Sequence, residues 1–100
     1  MSVGTTARRG AGLLGTVLRV IGMAIALVLV LHIVLTLLDA NPANGLTIFV
    51  ADLAAQFNLG LDDLFLPDEP KLAVTLNYGV AAVIWFAITA VVVRIVRRFG

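Results

Sequence analysis

Two stretches without a charged side chain, Val20–Leu38 and Leu72–Val93, limit what this chain can fold into more than any other feature. They hold 19 and 22 residues, and a helix needs about 20 apolar residues to cross a hydrocarbon core of roughly 30 Å. Val20–Leu38 contains 13 Leu, Ile or Val, each favouring insertion by about 0.3–0.6 kcal/mol. Together they outweigh the one His and one Thr in the stretch. Leu72–Val93 is weaker, with 11 Leu, Ile, Val or Phe, but still reads as a span. Hydrophobic residues make up 61% of the 100 positions, against about 45–50% in soluble domains. A water-soluble fold of this size has too little polar surface to cover such a core. The expected class is an all-α membrane protein, a two-helix transmembrane hairpin.

Charge sets the expected orientation. All six carboxylates, Asp39, Asp52, Asp62, Asp63, Asp68 and Glu69, lie between the spans with a single cation, Lys71. Arg8, Arg9 and Arg19 precede the first span, and Arg94, Arg97 and Arg98 follow the second. The positive-inside bias puts both termini in the cytoplasm and the acidic segment outside. The chain then divides into a basic segment 1–19 containing the start of the first helix, span 20–38, outer loop 39–71, span 72–93 and basic tail 94–100. Residues 1–12, small and polar, are expected to be mobile. The six arginines are expected to meet anionic lipid headgroups. Nucleic acid is not an expected partner, because no aromatic residues interleave with the basic ones. Six Arg to one Lys, with many Ala and Val, suits a GC-rich bacterial genome, and hence a bacterial inner (plasma) membrane. Arg8-Arg9 before an apolar run also fits a signal peptide. That run exceeds the usual 7–15 residues of a signal core, however, and Leu38-Asp39-Ala40 is a poor cleavage site.

The outer loop carries its own pattern. Asn41-Pro42-Ala43-Asn44-Gly45 is dense in turn formers and should end the first helix. Leu46, Phe49, Val50, Leu53 and Phe57 then recur at helical spacing. They predict a short amphipathic helix over about residues 46–57, too short to cross. It is expected at the outer interface or docked by its apolar face on a partner protein. Leu59–Leu66 can form one further short turn before Pro67 and Pro70.

Within the spans, His32, Thr36 and Asp39 fall in one sector of about 60°. His32 and Asn77 should lie at similar depth in an antiparallel hairpin, about 10 Å and 9 Å from its outer end. A hydrogen bond between them is expected, because an unpaired polar group in hydrocarbon is costly. The alternative role is a proton or ion relay through His32 and Asp39. On the second span Thr75, Gly79, Ala82 and Ala90 form a small-residue side, and Gly22 and Ala26 form a small pair on the first. Small residues let helices approach closely, so both are expected to pack on a partner helix, in another protein or a second copy. Trp85 lies about 21 Å from Lys71, far from an interfacial belt, and should face protein near Tyr78.

Catalysis and cofactors are not expected. With no cysteine there is no thiolate or disulfide. The single His stands in a span, and no nucleophile–base arrangement accompanies it. Asp62, Asp63, Asp68 and Glu69 lack the spacing of a calcium loop, and no metal site is expected. Gly10-Ala11-Gly12 has neither the preceding strand nor the following Lys-Ser/Thr of a phosphate loop.

Asp39-Ala40-Asn41-Pro42, the amphipathic Leu46–Phe57, Asp63-Leu64-Phe65-Leu66-Pro67 and Leu76-Asn77-Tyr78-Gly79 give the chain a resemblance to uncharacterised two-span proteins of high-GC bacteria. Their order (span, Asn-Pro, amphipathic segment, Leu-Pro, span) is also similar to half of a YggT-family protein over residues 20–95. The chain departs from that family where a Thr-Pro pair and basic residues stand; here are Leu53-Ala54-Ala55 and acids. The resemblance implies an accessory role in membrane-complex or cofactor assembly and transfers no functional residue. The expected function is a small accessory or assembly subunit packed on a larger membrane complex. The alternative is a self-assembling, holin-like pore or a minimal proton or ion channel, which would need a polar face along the full depth of a span.

Overall fold

The computed structural model describes the backbone of residues 3–99 and the side chains of residues 9–99. Three helices follow one another: α1 (Val3–Leu37), α2 (Gly45–Gln56) and α3 (Pro70–Arg98). The described residues contain no strand. Arg9–Leu37 and Pro70–Arg98 are both long and apolar enough to cross a membrane, with mean hydropathy of 2.8 and 2.3 in their most apolar windows. Helix α1 begins at Val3, so the segment expected to be loose before Leu13 is helical from residue 3 onward. Ala, Arg and Leu are strong helix formers, and here they offset the roughly 1 kcal/mol that each of Gly10 and Gly12 costs inside a helix.

The two long helices form an antiparallel hairpin whose register can be followed from end to end. Arg97 lies against Gly15 and Thr89 against Gly22. Farther along, the His32 ring meets the Tyr78 ring, and Asp39 pairs with Lys71. Close approach occurs where a helix lacks a side chain. A Cβ added at Gly22 would fall inside the Thr89 side chain, 2.8 Å from its Cβ. The molecule is correspondingly long and thin, 59 × 27 × 17 Å.

Each element end has a local cause. At the end of α1, Ala40 N–H donates to Leu35 C=O (2.9 Å) and Asp39 N–H to Thr36 C=O (3.2 Å). Asp39 takes the left-handed conformation (φ 54°) that this termination requires. Asn44 caps α2, its Oδ1 accepting from Leu46 N–H at 2.9 Å and Thr47 N–H at 3.4 Å. Glu69 Oε1 accepts from Lys71 N–H at 3.3 Å, with Pro70 in the first helical turn of α3, where its missing N–H is harmless. Between α2 and α3 the chain turns at Leu59 (φ 60°) and Gly60 (φ 73°), and Asn58 Oδ1 accepts from Gly60 N–H at 2.9 Å.

A branched leucine in the left-handed region is strained. Leu59→Asn, which tolerates that conformation, is expected to stabilise the protein by about 0.5–1 kcal/mol. Unfolding midpoints in mixed micelles would read the gain, and a comparable loss would contradict the assigned turn.

Helix α2 lies lengthwise against the hairpin, not across its Asp39–Lys71 end. Ala54 is fully buried in one cluster with Leu29, Ala81 and Ala82. Phe57, Leu61, Tyr78, Trp85, Ile25 and Val28 surround that cluster. The turn after α2 therefore reaches the level of Trp85, about 22 Å along α3 from Pro70.

Candidate functional site

Two side chains of α3 hold the connecting segment in place. Asn77, only 1% exposed, accepts at Oδ1 from Phe65 N–H (2.7 Å). Its Nδ2 donates to Asp62 C=O (2.8 Å) and Phe65 C=O (3.0 Å). Trp85 Nε1–H donates to Phe57 C=O at 2.8 Å, and its ring meets Phe57 edge to face with centroids 5.9 Å apart. Segment 57–65 is thus clamped along α3 at two levels.

The hydrogen bond expected between His32 and Asn77 does not form. Both residues stand at the expected level, but His32 faces Tyr78 (ring centroids 4.7 Å apart), while the Asn77 amide is committed to the loop. Successive helical positions differ by about 100° in direction, so residue 78 faces α1 and residue 77 does not. Thr36 Oγ1–H donates to His32 C=O at 2.8 Å, a bond within α1. Asp39 pairs with Lys71 at 2.8 Å in an exposed position, where such a pair contributes about 0–1 kcal/mol.

His32, Thr36 and Asp39 do line one groove, as their helical sector implies. Across it stand Thr47, Ile48, Ala51 and Asp52 of α2, with Leu35, Ala40 and Pro42 at its edges. Its lining on α1 runs from Asp39 to His32. Beyond it the seam is filled by Leu29, Ala26, Ala81 and Ala82, each at most 4% exposed. Among the described residues no three His, Cys, Asp or Glu side chains are grouped to hold a metal ion.

The small residues are used differently from expectation. Gly22 and Ala26 pack within the hairpin, Gly22 against Thr89, and Ala26 is fully buried. Ala82 belongs to the internal core. Trp85 faces protein as expected, but its partner is this chain's own Phe57. Thr75 and Gly79 remain outward, in a shallow groove with Leu76, Val80, Val83 and Ile84. Thr75 Oγ1–H is turned back onto Lys71 C=O (2.8 Å), and a Cβ at Gly79 would meet open space. Ala90 is exposed and sits among arginines.

The expected apolar face of α2 is divided. Val50 is buried and Phe57 half-buried against the hairpin, Leu53 is half-buried, and Leu46 and Phe49 point outward. Ala54, with Val50, marks the inward side instead. A helix apolar on nearly all sides gives periodicity too little contrast to identify its buried face. Arg9, Arg19, Arg94, Arg97 and Arg98 are exposed; the Arg8 side chain lies outside the described residues.

No family model, curated protein or solved structure matches the chain.

Proposed function

We propose that this protein is a small accessory or assembly subunit of a bacterial inner-membrane complex. Its hairpin spans the bilayer with both termini in the cytoplasm, and α2 with segment 57–66 docks on a larger membrane protein. Arg19 and Asp39 bracket the 19 charge-free residues Val20–Leu38, a rise of about 30 Å and one hydrocarbon thickness. Lys71 and Arg94 bracket the charge-free stretch Leu72–Val93 of α3 in the same way. With the bilayer between these charges, α2 becomes a re-entrant segment and not an interfacial one.

The bond from Trp85 N–H to the Phe57 carbonyl carries this reading. It holds an irregular turn about 21 Å inward from Lys71. Non-helical backbone at that depth is tolerated only where protein or a water-filled cavity covers it. Exposed Asp52, Asp62 and Asp63 lie on the same segment. In lipid each would oppose insertion, by about 2.5–3.5 kcal/mol at mid-bilayer. Elsewhere along the span the exposed residues are suited to lipid: Leu27, Val30, Leu31, Val34, Leu37 and Val83. One flank thus calls for protein and the rest for lipid. A pore is disfavoured because the polar lining on α1 ends at His32, and the next residue of the seam, Leu29, is apolar and fully buried.

Photo-crosslinkers at Asp52 and Gln56 are expected to trap a larger membrane polypeptide that co-migrates stoichiometrically in mild detergent. A crosslinker at Val83 should trap lipid alone. Exclusive recovery of free monomer from several native extractions would count against a subunit role. Proton or ion flux in liposomes containing only this protein would favour the channel instead.

A further inference from the structure

The flank of the hairpin opposite α2 holds two adjoining features that the docking role leaves unused. At the cytoplasmic end, Arg19 of α1 and Arg94, Arg97 and Arg98 of α3 line one groove of about 480 Å³, floored by Ala90 and Val93. That size lies within the roughly 300–1,000 Å³ of small-ligand sites. Gly15 makes room for it: the Arg97 side chain lies flat on α1 there, with Nε 3.1 Å from where a Gly15 Cβ would be. Four arginine side chains from two helices thus line one groove.

No acidic side chain relieves this charge. Every Asp and Glu belongs to segment 39–69. The innermost turn of that segment reaches only Trp85, about 14 Å along α3 from Arg94. Four like charges at the edge of a low-dielectric region repel one another until an anion joins them. Guanidinium forks match phosphate oxygens in paired hydrogen bonds.

One turn farther into the span an apolar furrow begins. Met23, Ala24, Ala26, Leu27 and Val30 of α1 line it with Phe86 of α3. Arg19, Met23, Ala26 and Val30 share one face of α1, and Phe86, Ala90, Val93 and Arg97 share one face of α3. Furrow and arginine groove therefore follow one another along the same flank. A soluble phosphate has no use for such a furrow, whereas an acyl chain does.

We propose that this flank binds an anionic phospholipid bearing two phosphates. Its headgroup sits on Arg19, Arg94, Arg97 and Arg98, and one acyl chain lies in the furrow between Met23 and Val30. The site rests on the hairpin spanning a bilayer, as in the reading above, and is independent of any protein partner.

The test reconstitutes the full chain in phosphatidylcholine nanodiscs. These contain either cardiolipin or, at matched charge, twice as much phosphatidylglycerol, and native mass spectrometry counts the lipids retained. Cardiolipin should be retained about tenfold better. Arg19→Gln with Arg97→Gln should lower its retention at least about tenfold, as the loss of two phosphate contacts implies. Arg9→Gln, outside the groove, should have no effect. Leu27→Trp should fill the furrow and weaken cardiolipin while leaving the arginines intact. Equal retention of the two lipids, or an equal loss with Arg9→Gln, would reduce the site to diffuse surface charge and overturn the proposal. Displacement by millimolar inorganic phosphate would overturn it in favour of a soluble anion. Failure of the chain to enter the discs would instead refute the spanning reading.

Discussion

Replacing Asn77 by Leu is expected to release segment 57–66 from the hairpin while leaving α1 and α3 helical. Three hydrogen bonds end on this one amide, to Phe65 N–H, Phe65 C=O and Asp62 C=O. The side chain is 1% exposed, so its loss strands backbone groups in an apolar setting. Each stranded group costs about 1–3 kcal/mol. Segment 57–66 can peel away and find water or other partners, which limits the total to about 2–4 kcal/mol. Hydrogen exchange reads this directly. Protection of the Phe65 amide should fall roughly 30- to 1,000-fold, at a factor of ten per 1.4 kcal/mol, with α3 amides little changed. Asn77→Asp should behave at least as badly, since a carboxylate keeps an acceptor for Phe65 N–H but faces two carbonyl oxygens. Unaltered exchange in both variants would show that the segment is held by something else.

Gly22→Leu is the second large effect. Even a methyl at this position overlaps Thr89, whose Cβ would be 2.8 Å from it. The helices must separate there, or Thr89 must leave its rotamer. Overpacking of this kind costs about 1–3 kcal/mol. Separation would also loosen Ala26 and Leu29, both fully buried in the adjoining seam. Thr89→Ala in the same chain should restore part of the loss, because it removes the obstructing atoms. A double-mutant cycle on unfolding in mixed micelles would then give a coupling of at least about 0.5 kcal/mol. Additive losses would mean that Gly22 and Thr89 do not share this contact.

These two residues mark where the sequence was readable and where it was not. Gly22 was recognisable as a small residue suited to close helix approach, but not as one already satisfied inside its own hairpin. Asn77 was recognisable as a polar group needing a partner, and its level beside His32 was right. Level follows from the constant rise of a helix. Direction around the axis depends on how the helix is rotated against its neighbours, and that rotation is set by packing. It turned Tyr78 toward His32 and left Asn77 facing backbone atoms of a loop that has no side-chain signature. Trp85 likewise required a partner for its N–H, yet a carbonyl at Phe57 is invisible to any reading of residue types. Asp39, weighed at first as half of a relay with His32, occupies a left-handed helix end, for which Asp is a tolerated residue.

The sequence by itself determined two helices long and apolar enough to span a membrane, the separation of acids from arginines, and a short helix between Asn44 and Asn58. Local properties decide these: hydropathy sums residue by residue, turn formers act on their neighbours, and charge is counted along the chain. Only the tertiary structure decided that the short helix runs inward along the hairpin. Bonds between residues 12 to 28 apart fix that course, with Asn77 and Trp85 satisfied by a backbone that could equally have remained at the surface. It also decided that four arginines and an apolar furrow share one flank, because that depends on the rotation and register of α1 against α3.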